Sequence, residues 1–205
     1  MGIGKVAQAA VFLDRDGVLN ALVLNPATGR MESPLTPEDL RLCRGVVEAL
    51  FRLQQAGYPL ILVSNQPNYA LGKCSLDMLS RIHHKLVCEL LGAGITFSRF
   101  CYCLHHPQGV TPGFSGLCVC RKPSPWFLLR ARDDFRLSMA RSWMIGDQPT
   151  DVQCGKAAGT RTIRIDGNCG GSDPLPVRQH PGPHPDCIAT NLTEAAQTIL
   201  SQDGC

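Results

Sequence analysis

Three short apolar runs in this 205-residue chain each lead, within two positions, into a polar residue, and helix-like segments separate the runs. The runs with these residues are 6–13 with Asp14, 60–63 with Ser64, and 142–145 with Asp147. Alternating β and α segments predict an α/β fold with a doubly wound parallel sheet covered by helices on both faces. Ligands bind such sheets beyond the carboxyl ends of the strands. We therefore expect the three polar side chains to meet at one edge of the sheet.

The rest of the chain continues this alternation and predicts one domain over residues 1–205. Further strands are predicted at 97–102, 161–165 and 187–190, and helices at 36–57, 76–91, 126–136, 151–158 and 192–200. The first helix has Thr36 as its N-cap, Pro37 in its first turn and Gly57 at its end. Glycine and proline are frequent in 167–185, which predicts a flexible loop.

The composition excludes several classes of protein. Hydrophobic residues make up 44% and charged residues 18% of the chain, which is typical of a folded globular protein. No run approaches the roughly 18 apolar residues of a membrane span, and residues 1–10 lack the apolar core of a signal peptide. A net charge of +3, spread along the chain, gives no basic stripe for nucleic acid. We therefore expect a cytoplasmic monomer without nucleic-acid or membrane partners.

Acidic residues at two of the predicted strand ends indicate a metal site. Asp14 and Asp16 leave the first strand on a turn that Gly17 permits, so both can enter one cavity. Asp147 can supply a third oxygen, and Asp151 can orient the site from the start of the next helix. Hard oxygen ligands suit Mg²⁺. Asp-Gly and Gly-Asp are also ordinary turn dipeptides, and either one alone would indicate only a turn.

A Cys-x-His pair and a Cys-x-Cys pair indicate a second metal site. The four residues are Cys103, His105, Cys118 and Cys120. Three thiolates and one imidazole match a closed, tetrahedral structural zinc site. Such an ion would clamp the loop 101–122, which lacks apolar periodicity. Unligated thiols, or a strained Cys118–Cys120 disulfide, are the alternatives.

Other histidine and cysteine residues leave part of this ligand set open. His106 is next to His105, and Cys101 precedes Cys103 by two positions, so either could take part instead. The remaining cysteines show no pairing pattern, and we expect most of them to be buried thiols. They are Cys43, Cys74, Cys88, Cys154, Cys169, Cys187 and Cys205.

Four sequence blocks together resemble the haloacid dehalogenase-like phosphatase superfamily. The blocks are VFLDRDGVLN at 11–20, LVSNQ at 62–66, RKP at 121–123 and GDxxxD at 146–151. The resemblance implies phosphoryl transfer through an aspartyl-phosphate, with Asp14 as the nucleophile and Asp16 as the general acid and base. It implies Mg²⁺ bound by Asp14, Asp147 and the backbone carbonyl of Asp16, with Asp151 behind them.

The same resemblance implies which residues bind the phosphoryl group. Lys122 would add a positive charge, while the Ser64 hydroxyl and the Asn65 backbone N–H would donate hydrogen bonds. Arg121 would contact the distal part of the substrate, because its planar guanidinium suits a second phosphate or sugar hydroxyls.

The zinc motif narrows the resemblance further. CxHHPQG followed by CxCRKPxP is similar to the D-glycero-D-manno-heptose 1,7-bisphosphate phosphatases, whose relatives are the histidinol-phosphate phosphatases. The resemblance implies removal of the 7-phosphate from the heptose bisphosphate; a histidinol-phosphate or other sugar-phosphate phosphatase is the alternative. The short spacing between Asp16 and Ser64 implies a capless enzyme, with the small phosphorylated metabolite recognised by loops at 20–34, 66–73 and 105–122. A zinc-stabilised binding module and a slow, degenerate phosphatase are the competing hypotheses.

Three positions depart from the motifs of this group. Pro67 removes an N–H from the loop after the second strand, Leu71 stands where a cation is usual, and Gln148 replaces a lysine after Gly146-Asp147. The loss of positive charge predicts a weaker preference for a doubly anionic substrate.

Overall fold

A computed structural model describes residues 7–26, 28–167, 169 and 183–202. The strands are β1 (Val11–Leu13), β2 (Val23–Asn25), β3 (Arg30–Glu32), β4 (Leu60–Asn65), β5 (Arg99–Cys103), β6 (Trp143–Gly146), β7 (Arg161–Ile165) and β8 (Cys187–Ala189). The α-helices are α1 (Val46–Gln55), α2 (Leu76–Gly92), α3 (Trp126–Phe135), α4 (Pro149–Ala158) and α5 (Leu192–Gln202). No helix in these residues is both long and apolar enough to cross a membrane.

Six of the strands form one parallel sheet in the order β5-β4-β1-β6-β7-β8, which confirms the predicted fold class. The central strand, β1, pairs with β4 and β6, so Leu13 lies beside both Leu62 and Ile145. The carboxyl ends of these three strands therefore lie next to one another. This register carries the polar residues that follow them to a common edge.

Apolar side chains cover both faces of this sheet. Val11 and Leu13 of β1 belong to the larger core cluster, which includes side chains from α1, α2 and α5. Phe12, which points to the other face, belongs to a second cluster with side chains from α3 and α4. All three β1 side chains are fully buried. Burial on both faces explains why the strand is an uninterrupted apolar run.

The prediction of one helix over 36–57 was wrong in its bounds. A short 3-10 turn covers Pro37–Asp39, and α1 begins only at Val46, because the segment between them follows the loop after β1. The N–H of Cys43 donates to the carbonyl of Leu19 (2.9 Å), which a continuous helix would prevent. Gly45 then starts α1 with a positive φ of 78°.

A hairpin of β2 and β3 occupies part of the segment that was predicted to be a loop at 20–34. Its strands are three residues each and partly exposed, so they carry no clear apolar alternation. Gly29, with φ of 65°, lies in the turn between them. The hairpin stands beside the edge of the sheet where β1, β4 and β6 end.

Two further predictions need correction. The first strand begins at Val11, not at residue 6, which lies outside the described residues together with most of 167–185. Cys43 and Cys169, two of the cysteines in which the sequence shows no pairing pattern, form a disulfide. Their sequence separation of 126 residues hides the contact, which exists only because the sheet brings the two segments together.

Candidate active site

Three carboxylates meet at the carboxyl edge of the sheet. Asp14 follows β1, Asp147 follows β6, and Asp151 lies in the first turn of α4. One oxygen atom from each of these carboxylates lies within 4.8 Å of the other two. Gly17 permits this approach, because a Cβ atom at Gly17 would lie 2.6 Å from Oδ2 of Asp147. The structure therefore gathers the carboxylates that the sequence pattern places at strand ends.

The electrostatics of Asp147 indicate that the negative charge of these carboxylates is only partly balanced. Burial, followed by the charges of Asp14 and Asp151, raises the pKa of Asp147 well above its ordinary value. Its Oδ1 atom is buried without a hydrogen-bond partner among the described residues, while Oδ2 accepts a hydrogen bond from Gln148 Nε2 (2.6 Å). Several oxygen ligands around an unsatisfied buried atom fit a hard divalent cation such as Mg²⁺.

Lys122 lies inside the same group. Its Nζ atom is 2.9 Å from Oδ1 of Asp14 and 2.5 Å from Oδ1 of Asp151, and it donates to the carbonyl of Val63 (2.8 Å). Burial alone would lower the pKa of Lys122, but the charges of Asp14 and Asp151 outweigh it and raise this pKa above its ordinary value. The lysine is therefore a permanent cation beside the predicted nucleophile.

The Asp16 carboxylate is not part of this carboxylate group. Oδ1 accepts from Arg15 Nε (3.1 Å) and Asn20 Nδ2 (2.9 Å). Oδ2 accepts from Arg15 Nη2 (3.1 Å), Gln66 Nε2 (2.6 Å) and Ser33 Oγ (2.8 Å). Burial would raise the pKa of Asp16, but the charge of Arg15 and these hydrogen bonds lower it. In this conformation Asp16 is an anion held away from Asp14.

Sequence reasoning assigned a site role to none of the four residues that donate to Asp16, which include Asn20. Arg15 and Gln66 lie within the motif blocks. Each is a polar residue next to a predicted site residue, and this position could have identified them. Arg15 is 1% exposed, and its Nη2 also donates to Oε1 of Gln66 (2.7 Å). Ser33 gave no signal, since only the position of the hairpin brings it to Asp16.

Ser64 and Asn65 stand at the end of β4, as predicted. Ser64 is buried, and its Oγ accepts a hydrogen bond from Gln66 Nε2 (3.0 Å). The side chain of Asn65 makes two hydrogen bonds with the backbone of Lys122, accepting from its N–H (3.0 Å) and donating to its carbonyl (3.1 Å). Asn65 thereby fixes the segment that carries Lys122.

The predicted zinc ligands lie together beside this edge. One ligand atom each from Cys103, His105, Cys118 and Cys120 falls within 4.8 Å of the others. The Sγ atom of Cys118 lies 3.5 Å from that of Cys103 and 3.7 Å from that of Cys120. Zinc–sulfur bonds of about 2.3 Å in a tetrahedron separate two sulfur atoms by about 3.8 Å. The spacing therefore fits a zinc ion.

The two alternative ligands lie elsewhere. His106 Nδ1 accepts a hydrogen bond from the N–H of Gln108 (3.1 Å). Cys101 is buried in the second core cluster, on β5. Neither belongs to the group of possible metal ligands, so the geometry favours His105 and Cys103 over their neighbours.

A cleft of about 960 Å³ opens over the carboxylates. The three segments predicted to recognise the substrate contribute to its walls, together with the first turn of α4. Arg121 lines the cleft, and its Nη1 donates to the carbonyl of His105 (3.1 Å). The lining residues that carry a charge are Asp14, Asp16, Arg30, Glu32, Lys73, Arg121, Lys122 and Asp147.

Comparisons with known proteins agree with this geometry. A family model described as HAD-hydrolase-like matches residues 119–195. The D-glycero-D-manno-heptose-1,7-bisphosphate 7-phosphatase of Thermosynechococcus vestitus is 37% identical over 197 residues, which are 94% of this chain and 95% of that protein. The D-glycero-beta-D-manno-heptose-1,7-bisphosphate 7-phosphatase of Vibrio cholerae is 36% identical over 157 residues, 77% of this chain and 80% of that protein. The chain belongs to the haloacid dehalogenase-like phosphatase family.

A solved structure extends the likeness to the fold. D,D-heptose 1,7-bisphosphate phosphatase from B. bronchiseptica, complexed with magnesium and phosphate, matches with a TM-score of 0.76 at 25% identity. The match covers 95% of this chain and 99% of that chain.

The three departures from the motifs of this phosphatase family all lie at the cleft. Pro67, Leu71 and Gln148 line it. The side-chain amide of Gln148 donates a hydrogen bond to Oδ2 of Asp147. Gln148 therefore supplies a hydrogen bond at this position but no positive charge. Leu71 presents an apolar wall at its position.

Proposed function

We propose that this chain is a Mg²⁺-dependent phosphomonoester hydrolase that removes the 7-phosphate from D-glycero-D-manno-heptose 1,7-bisphosphate through an aspartyl-phosphate. The main support is the position of Asp14, buried beside the Lys122 cation and within the oxygen group that includes Asp147. The names of the relatives support the phosphorylated sugar as the substrate. A small phosphorylated metabolite fits a cleft of about 960 Å³.

The two oxygen atoms of Asp14 have different roles in this proposal. Oδ1 accepts from the N–H of Arg15 (2.7 Å) and lies beside Lys122 Nζ. Oδ2 receives no hydrogen bond from the described residues, which leaves its electron pair available. We assign Oδ2 as the atom that forms the bond to phosphorus while the bond from phosphorus to the sugar oxygen breaks.

Asp14, Asp147 and the Asp16 carbonyl would hold Mg²⁺, and Asp151 would support them from α4. Bound Mg²⁺ would neutralise the repulsion between the Asp14 carboxylate and the phosphate. Lys122 would add a second positive charge against the phosphoryl oxygens, with Ser64 and Asn65 as hydrogen-bond donors. Arg121 would contact the distal part of the sugar.

Asp16 would protonate the departing sugar oxygen and then accept a proton from the water that attacks phosphorus. Its five hydrogen bonds stabilise the anion, so the acid role requires the side chain to leave Arg15 and Ser33 first. We infer that substrate binding rearranges these donors. The Cys/His cluster would hold zinc and act only by positioning Arg121 and Lys122, which follow Cys120 directly.

A phosphate-release assay with and without Mg²⁺ tests this function. The substrates are heptose 1,7-bisphosphate, heptose 7-phosphate, histidinol phosphate and an aryl phosphate. We expect Mg²⁺-dependent release with the highest kcat/KM on the bisphosphate. Preferred turnover of histidinol phosphate would instead favour that alternative, and no release from any substrate would contradict a phosphatase.

A further inference from the structure

The cations that line the cleft differ in how far they are already engaged. Lys122 lies between two carboxylates, and Lys73 Nζ forms a salt bridge with Oε2 of Glu32 (2.6 Å). Arg121 uses one nitrogen on the carbonyl of His105. The side chain of Arg30 has neither a hydrogen bond nor an ion pair with any residue in the described part of the chain. Arg30 is therefore the cleft cation with the most unused binding capacity.

Arg30 has one acidic neighbour in the hairpin, Glu32, and that carboxylate is already engaged by other residues. Glu32 is two positions from Arg30 on β3, but its carboxylate accepts hydrogen bonds from Lys73, Asn25 (3.2 Å) and Thr28 (2.9 Å). These hydrogen bonds lower the pKa of Glu32 to about 2. A satisfied carboxylate competes weakly for the guanidinium, so Arg30 can bind an anion from solution.

Two contacts fix the hairpin relative to the site. The salt bridge between Glu32 and Lys73 ties β3 to the loop after β4. The hydroxyl of Ser33 donates to Oδ2 of Asp16 (2.8 Å), which ties the end of β3 to the loop after β1. Arg30 therefore lines the same cleft as Asp14 from a supported position.

We propose that Arg30 binds the second anionic group of the substrate, the 1-phosphate that remains on the sugar, and thereby determines selectivity for a bisphosphate. The proposal rests on the proposed function. A guanidinium binds a phosphate with two parallel hydrogen bonds, which a lysine cannot reproduce. This proposal revises the prediction of a weaker preference for a doubly anionic substrate. That prediction followed from the loss of positive charge at Leu71 and Gln148, whereas Arg30 supplies a positive charge to the cleft from a different segment.

The test compares kcat/KM for heptose 1,7-bisphosphate with kcat/KM for heptose 7-phosphate, which differ only in the second anion. The variants are Arg30→Gln and Arg30→Lys, with Arg52→Gln as a matched control at an exposed position of α1 outside the cleft. We expect Arg30→Gln to reduce the ratio of the two values at least tenfold, mainly by lowering kcat/KM for the bisphosphate. Arg30→Lys should give an intermediate ratio, and Arg52→Gln the wild-type ratio.

The outcomes separate the two proposals. An unchanged ratio in Arg30→Gln, with an active and bisphosphate-selective wild-type enzyme, overturns the role of Arg30 alone. An equal loss on both substrates also overturns it, since the residue would then not distinguish the second anion. A wild-type protein that hydrolyses neither sugar overturns the proposed function, and the role of Arg30 with it.

Discussion

The Nζ atom of Lys122 lies 2.9 Å from Oδ1 of Asp14, which joins the segment after the Cys/His cluster to the loop after the central strand. Lys122 and Asp14 are almost fully buried, and the lysine also contacts Asp151. The same ion pairs thus position the predicted nucleophile and balance part of the negative charge at the edge of the sheet. Stability and chemistry are coupled at this contact.

Replacing Lys122 by Met should destabilise the protein and abolish turnover. Removing one partner from a buried ion pair leaves uncompensated charge and costs about 3–5 kcal/mol. Saturating Mg²⁺ should restore part of the free energy of unfolding, because a bound cation would compensate the same carboxylates. Urea unfolding with and without Mg²⁺ measures this. Lys156→Met is the control, since Lys156 pairs with Asp186 at the surface, where such pairs contribute about 0–1 kcal/mol. Equal losses in both variants would contradict the argument.

Replacing Asp14 by Asn should abolish phosphate release without unfolding the protein. The amide keeps the size of the side chain but cannot form the acyl-phosphate. We expect an unchanged far-UV circular dichroism spectrum and no measurable kcat. Near-wild-type turnover would mean that another group attacks phosphorus.

A methyl group at Gly17 should weaken Mg²⁺ binding. The added Cβ would lie 2.6 Å from Oδ2 of Asp147, so that carboxylate must rotate away from the group. We expect the Mg²⁺ concentration for half-maximal activity to rise at least tenfold in Gly17→Ala. Gly57→Ala is a matched control, because Gly57 has a similar positive φ (86° against 79°) with no atom within 4 Å of the added Cβ. That variant should lose about 1–2 kcal/mol of stability from backbone strain and keep its Mg²⁺ dependence. The same Mg²⁺ dependence in both variants would remove Asp147 from the proposed ligand set.

The purified protein should contain about one zinc ion per chain, as a filled Cys₃His site requires. Cys118→Ser should lose most of the zinc and become sensitive to proteolysis within 106–117. Cys88→Ser should keep its zinc, because Cys88 is an exposed thiol outside the cluster. Elemental analysis and limited proteolysis measure both effects. Wild-type protein without zinc and with free thiols would exclude the metal site.

Sequence patterns predicted the parts of the fold that local physics determines. The strand after which Asp14 stands is apolar on both faces, and such a run is typical of the middle of a parallel sheet. Because parallel strands end on the same side, the meeting of Asp14 with Asp147 follows from the fold class. The meeting of Cys103, His105, Cys118 and Cys120 was predictable because their spacing in the sequence is itself the signal.

Contacts between segments far apart in the sequence could not be predicted in the same way. Ser33 donates to Asp16 only because a short, partly exposed hairpin returns toward β1, and neither of its strands has an apolar pattern. The interruption before α1 has the same origin, since Cys43 bonds to the backbone of Leu19 instead of continuing a helix. In both cases tertiary hydrogen bonds override the local preference of the chain.

Cys103 is the last residue of β5 and also a member of the Cys/His cluster. The segment 106–117 connects His105 to Cys118, so the cluster holds both of its ends. Insertions or exchanges within this stretch are confined between two fixed ends, and they need not move Lys122. The part of the cleft wall that 106–117 forms can therefore change in sequence or length while Asp14 and Lys122 keep their positions.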